Sequence, residues 1–132
     1  MSKPKPQGSI SAKNRGTAAR RRGIRTEAWA KWWLRMRGYK VLCQNFKTTE
    51  GEIDIIATRG GVLSFIEVKM RSNKNDALYA ISSGQRKRIE RTAEHFLKKY
   101  PKFADSDIRF DAFVANGIFT GKLIVDAWRP GW

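Results

Sequence analysis

Glu52, Asp54, Glu67 and Lys69 stand on either side of a Gly60-Gly61 pair. Two successive glycines tolerate the positive φ that a two-residue hairpin loop demands, and such a loop sets Arg59 against Val62. Counting outward, Asp54 falls opposite Glu67 and Glu52 opposite Lys69; a four-residue loop gives the same register. Period-two alternation then puts Glu52, Asp54, Glu67 and Lys69 on one face and Ile53, Ile55, Ile66 and Val68 on the other. Opposed residues on a sheet face have Cβ atoms roughly 4.5 to 5.5 Å apart, so two carboxylates placed this way repel. A hard divalent cation would cancel that repulsion. Mg²⁺ takes oxygen ligands and often needs only one or two carboxylates, with water and substrate phosphate completing its shell. Lys69, one pair away, could offset the extra negative charge of a phosphodiester transition state. The plainer use of such a pattern is a solvated face of weakly coupled charges, with Glu52 pairing Lys69. Yet a chain with only 12 acidic residues has set three of them together, where they repel phosphate unless a metal bridges two.

The flanking segments must hold these side chains. Ala28, Trp29, Trp32, Trp33 and Met36 recur at spacings of three and four, which predicts a helix over about Thr26 to Arg37 with that stripe inward, ended by Gly38. Three tryptophans in five residues cannot all face one narrow stripe, so at least one is expected in solvent. Tyr39 to Phe46 reads as extended. Residues 51–57 and 63–69, rich in β-branched side chains, read as the two strands of the hairpin. Ser72 to Asp76 is polar and loop-like. Ile89, Ala93, Phe96, Leu97 and Tyr100 form the apolar face of a second helix starting near Ser82 or Ser83 and stopped by Pro101. Two further strands span Ile108 to Ala115 and Leu123 to Trp128. The order α-β-β-β-α-β-β predicts an α/β or α+β class with helices covering a mixed sheet.

Charge narrows the partner. Across 132 residues, 27 Lys and Arg outweigh 12 Asp and Glu, a net +15, which points to a polyanion and most simply nucleic acid. Residues 1–25 hold eight of the basic groups and no acid. The first 22 residues, with Pro4, Pro6, Gly8 and Gly16 and few large apolar side chains, read as a flexible basic arm ahead of one domain over 23–132. Arg20, Arg21, Arg22 and Arg25 of this region are candidate phosphate contacts, as are Arg86, Lys87 and Arg88 on the second helix. A single cysteine, Cys43, and a single histidine, His95, argue against a zinc site and a Ser-His-Asp triad. The basic start leads into no hydrophobic block and no apolar run reaches membrane-spanning length, so a cytoplasmic protein without membrane attachment is expected.

The segments Gly51-Glu52-Ile53-Asp54-Ile55-Ile56-Ala57 and Phe65-Ile66-Glu67-Val68-Lys69 resemble the PD-(D/E)XK motif of the restriction-endonuclease-like superfamily. Together with Arg25-Thr26-Glu27-Ala28, Gly38-Tyr39-Lys40-Val41-Leu42, Asn45-Phe46 and Arg109-Phe110-Asp111, they resemble the uncharacterised YraN-like family over residues 23–132. The resemblance implies a nuclease fold similar to archaeal Holliday-junction resolvases, with Mg²⁺ or Mn²⁺ held by Asp54 and Glu67 and with Lys69 as the catalytic lysine. It also matches Glu27 to the helix glutamate that joins such sites and Gln85 to the polar residue on the helix after the lysine strand. Resolvase-like relatives suggest a homodimer. Two departures stand out. Ile53-Asp54 replaces Pro-Asp, and Ser72 to Asp76 replaces the glycine-containing loop usual after the lysine.

The expectation is a Mg²⁺-dependent endonuclease that hydrolyses phosphodiester bonds of DNA, branched or processing intermediates included. Its rival is a binding module that holds DNA or RNA on the same fold without cutting it, with salt-sensitive affinity indifferent to Mg²⁺.

Overall fold

Alternating apolar residues around a glycine turn form the centre of the molecule, and a computed structural model describes residues 26–70, 81–115 and 120–130. Gly60 (φ 58°) and Gly61 (φ 80°) make the turn between β2 (Glu52–Arg59) and β3 (Val62–Met70). Two successive positive φ values give a turn whose twist matches paired strands. The antiparallel register runs from Arg59↔Val62 to Ile55↔Ile66, as a two-residue loop requires. β1 (Lys40–Lys47) pairs antiparallel with β2 on its outer side. From β3 the chain crosses through a long helix to β4 (Asp107–Ala115), which lies parallel to β3, and β5 (Lys122–Trp128) returns antiparallel to β4. The result is an α+β fold with one mixed sheet in the order β1-β2-β3-β4-β5.

A helix covers each face. Residues 26–36 form α1, which closes on Gly38 at φ 87°. The Tyr39 N–H donates to the Leu34 carbonyl (3.0 Å) and the Gly38 N–H to that of Arg35 (3.1 Å), a closure that leaves few terminal carbonyls unmet. Helix α2 (Ser83–Lys99) starts at Ser82, whose hydroxyl accepts from the Gln85 N–H, and stops at Tyr100 before Pro101. Ile89, Ala93 and Phe96 of α2 pack on Ile53, Ile56, Leu63, Phe65, Phe110 and Ala112. Ala30 and Leu34 of α1 pack on Ile55, Ala57, Ile66, Phe113 and Ala115. Neighbours such as Ile55 and Ile56 therefore face opposite layers, as strand alternation demands.

Two expectations fail, each for a local reason. The buried stripe of α1 is Thr26, Ala30 and Leu34, flanked by Trp29 and Trp33, while Ala28, Trp32 and Met36 lie in solvent. Both stripes have helical spacing, and the aromatic content favoured the wrong one. Ile53 does not share a face with Ile55: it packs toward α2 with Ile56. Across from this point Asn45 on β1 adopts φ 53°. Cys43 and Phe46, on either side of it, both pack toward α2, so the alternation resets on both strands together.

The basic arm expected over residues 1–22, with Arg20, Arg21 and Arg22, lies outside the described residues, as do Arg25 and the loop of Ser72 to Asp76. Among the described residues no helix is long and apolar enough to cross a membrane.

Candidate active site

The β2–β3 ladder ends at Ile55↔Ile66 and the two strands then part company. β2 stays with β1 through Phe46↔Ile53 and Lys47↔Glu52, whereas β3 stays with β4 through Glu67↔Ala112 and Lys69↔Val114. Asp54 and Glu67 occupy the two lips of this fork. The Asp54 carboxylate enters it and accepts from the Val68 backbone N–H at 2.8 Å. It also lies close enough to the Glu67 carboxyl for its negative charge to raise that group's pKa.

Glu67 is buried and Asp54 is half-buried. Burial, and then the charge of Asp54, push the Glu67 carboxyl up to about 7. Burial also raises Asp54, opposed by the Val68 N–H, by Glu67 and by Lys69. The Lys69 ammonium lies 3.3 Å from the Glu67 carboxylate. Gln85, on the first turn of α2, donates its side-chain N–H to the same carboxylate oxygen at 2.5 Å. One acid thus receives a cation from its own strand and an amide from the crossover helix.

Glu27 reaches the site from the start of α1. Its pKa is raised first by burial and then by Asp54. With its nitrogen turned toward the acids, the Asn45 amide donates to Glu52 (3.0 Å) and to Glu27 (3.2 Å). The structure therefore gathers Asp54, Glu67, Lys69 and Gln85 in direct contact, with Glu27 close enough to feel the Asp54 charge. The expected Glu52–Lys69 pair is absent: Lys69 pairs with Glu67 and Glu52 with Asn45. The register that opposes Glu52 to Lys69 does not persist past the fork. Asn45 and the Val68 amide bond to acids of this cluster, places that spacing did not reveal. Asn45 had entered only as part of the family resemblance and with no role, although its residue type tolerates a left-handed backbone better than most.

The candidate phosphate contacts on α2 separate. Lys87 and Arg88 are exposed, while Arg86 is half-buried with its guanidinium 5.9 Å from the Trp128 ring centre. Among the described residues, no group of three or more acidic, His or Cys side chains is gathered tightly enough to hold an ion by itself. A cation at the fork would take two carboxylate ligands here and complete its shell from elsewhere, as Mg²⁺ commonly does.

The opposite layer holds a different polar cluster. Asp111, fully buried, accepts from the Ser64 hydroxyl, from Arg109 (2.9 Å) and from the Asp126 backbone N–H (2.8 Å). Arg109 in turn donates to the Tyr39 hydroxyl at 2.7 Å. Arg109 and Asp111 form an ion pair, and every charge in the cluster has a partner.

Comparison with known proteins agrees with the residues that carried the family resemblance. A UPF0102 protein of Parvibaculum lavamentivorans is 43% identical over 115 residues, covering 87% of this chain and 86% of the relative. One from Bartonella bacilliformis is 43% identical over 94 residues, covering 71% and 76%. A third, from Paramagnetospirillum magneticum, is 39% identical over 116 residues, covering 85% and 90%. The family model described as uncharacterised protein family UPF0102 matches residues 26–114, from the first described turn of α1 almost to the end of β4, and the chain belongs to that family.

Proposed function

We propose that this protein is a divalent-metal-dependent nuclease of the restriction-endonuclease-like class that acts on DNA. The observation that carries the reading is the fork: Asp54 and Glu67 meet where β2 and β3 separate, with the Lys69 ammonium 3.3 Å from Glu67. A hairpin bearing an acid and then Glu-x-Lys, followed by a crossover helix to a parallel strand, is the arrangement that the PD-(D/E)XK resemblance implies. The donor set suits a hard cation. Two carboxyl groups face each other in a partly desolvated cleft, and a metal ion would remove their repulsion.

Asp54 and Glu67 would hold Mg²⁺ or Mn²⁺, which when bound supplies charge neutralisation at the phosphate and activation of the attacking water. The protein's own groups do the rest. Val68 N–H fixes the Asp54 carboxylate, Gln85 fixes that of Glu67, and Asn45 ties Glu27 to Glu52 beside them. Lys69 offers its ammonium to charge that builds on the phosphate oxygens. Lys87 and Arg88 at the start of α2 supply positive potential for the flanking backbone, as would the cationic N-terminal residues.

The test is cleavage of labelled four-way junction, flap and linear DNA in Mg²⁺ or Mn²⁺ by wild type, Asp54→Ala and Lys69→Ala. Cleavage by wild type alone is expected. No cleavage by wild type, or equal cleavage by both variants, removes the enzyme; salt-sensitive, metal-indifferent DNA binding would then leave a non-catalytic binding module.

A further inference from the structure

Helix α1 presents a surface that neither the core nor the fork uses. Trp32 is 59% exposed and Met36, one turn on, is 54% exposed. The other two tryptophans of the helix are engaged: the Trp29 indole N–H donates to the Thr120 carbonyl, and Trp33 packs edge-on against Phe113 under the Arg37 guanidinium. Trp32 stands apart on the outer face among cations. Arg35 lies one turn on and is exposed, Lys31 precedes Trp32, half-buried with its ammonium donating to the Gln44 side chain (3.2 Å), and Glu27 is the single acid among the described residues of the helix. Glu27 is also the residue that connects α1 to the fork. Trp32 is five positions on, about 7.5 Å along the axis and about 140° around it, so a strand must wrap the helix to reach both.

A bare indole within a positive field calls for a partner that is anionic and offers flat apolar faces. A protein partner would have to be acidic and apolar at the same spot, and a phosphate surface alone leaves the ring unused. Single-stranded nucleic acid meets both demands, since its backbone is anionic and each unpaired base has a π-face. A base inside a duplex is already stacked and cannot offer that face. We infer that Trp32 is a stacking platform for an unpaired base, and that the nucleic acid held at the fork carries a single-stranded segment laid along the outer face of α1. The inference rests on the nucleic-acid reading above and names the substrate class within it.

The full chain, kept in EDTA so that no cleavage occurs, is titrated at one fixed salt concentration with a labelled oligothymidylate and with a blunt duplex of equal length. Trp32→Ala should weaken oligothymidylate binding by about 5- to 100-fold, the range of one lost stacking contact, and leave duplex binding essentially unchanged. Trp32→Phe should restore most of the loss, because a smaller ring still stacks. The side chain is exposed, so thermal melting and circular dichroism of the variants should match wild type. Unchanged oligothymidylate binding by Trp32→Ala overturns the platform, and so does an equal loss on both ligands. Conversion of a wild-type dimer to a monomer by Trp32→Ala also overturns it, because a second copy would then cover the indole. If wild type binds neither ligand, the nucleic-acid reading fails along with the platform; if wild type binds both and only the Trp32 dependence is missing, the platform alone fails.

Discussion

Asp111 and Glu67 sit on adjacent strands of the same sheet, one register step apart, and face opposite layers. Asp111 is wholly buried and surrounded by donors: a hydroxyl, a guanidinium and a backbone N–H. Glu67 is nearly as buried, yet it faces a second carboxylate and is matched by only one ammonium and one amide. The first cluster is closed, because its donors and acceptors already satisfy one another. The second is left short of positive charge, and that deficit is what a binding site for a cation requires. Buried acids thus serve stability when their partners are complete and chemistry when they are not.

The sharpest way to break the contrast is to open the closed cluster. Asp111→Ala strands the Arg109 guanidinium and the Ser64 hydroxyl and should cost about 3 to 5 kcal/mol in urea unfolding, the usual penalty for removing one member of a buried pair. A loss below about 1 kcal/mol would show that Asp111 is no more than a surface-grade partner. At the fork the order should reverse, with chemistry more sensitive than folding. Lys69→Ala should lower the cleavage rate by about 10²- to 10³-fold, as when one transition-state donor is removed, while the urea midpoint moves little.

Glu67 offers a third comparison through pH. Its carboxyl titrates near 7 in the folded protein against an ordinary 4.5. Between those values the native state binds more protons than the unfolded chain, so stability falls as pH rises through this window and levels off above it. The span corresponds to about 3 kcal/mol. Urea titrations from pH 4 to 8 should show this decline in wild type and a flatter profile in Glu67→Gln, with metal added at the alkaline end restoring part of the loss. A profile unchanged by the substitution would mean that burial and the Asp54 charge do not raise the Glu67 carboxyl. The smallest effect belongs to Asn45. Asn45→Ala should cost about 1 kcal/mol, because φ 53° is unfavourable to a β-carbon; Asn45→Gly should recover the backbone term without restoring the amide between Glu27 and Glu52.

Much of this arrangement is legible in residue order because it is local. Gly60-Gly61 sets the hairpin register, Ser82 and Pro101 bracket α2, and Gly38 closes α1. The approach of Asp54 to Glu67 is legible from the hairpin register, although the ladder stops one pair short of them, and Gln85 and Glu27 entered through family resemblance. What escaped depends on distant partners. The fork exists because β1 holds one lip and β4 the other, and neither pairing is encoded near the turn. Hence Lys69 lost Glu52 and took Glu67, and Ile53 crossed to the other layer. On α1, two stripes of equal periodicity competed, and only packing against Ile55 and Phe113 decides between them.

The Val68 amide, held by a side chain rather than by a neighbouring carbonyl, gives the cleft its own indicator. Its exchange with deuterated solvent is governed by whether the Asp54 oxygen remains ionised and in place. Protonation of that oxygen, or its recruitment by an incoming ligand, should change the protection of this one N–H ahead of any global unfolding, so a single resonance could register occupancy of the cleft without any reaction taking place.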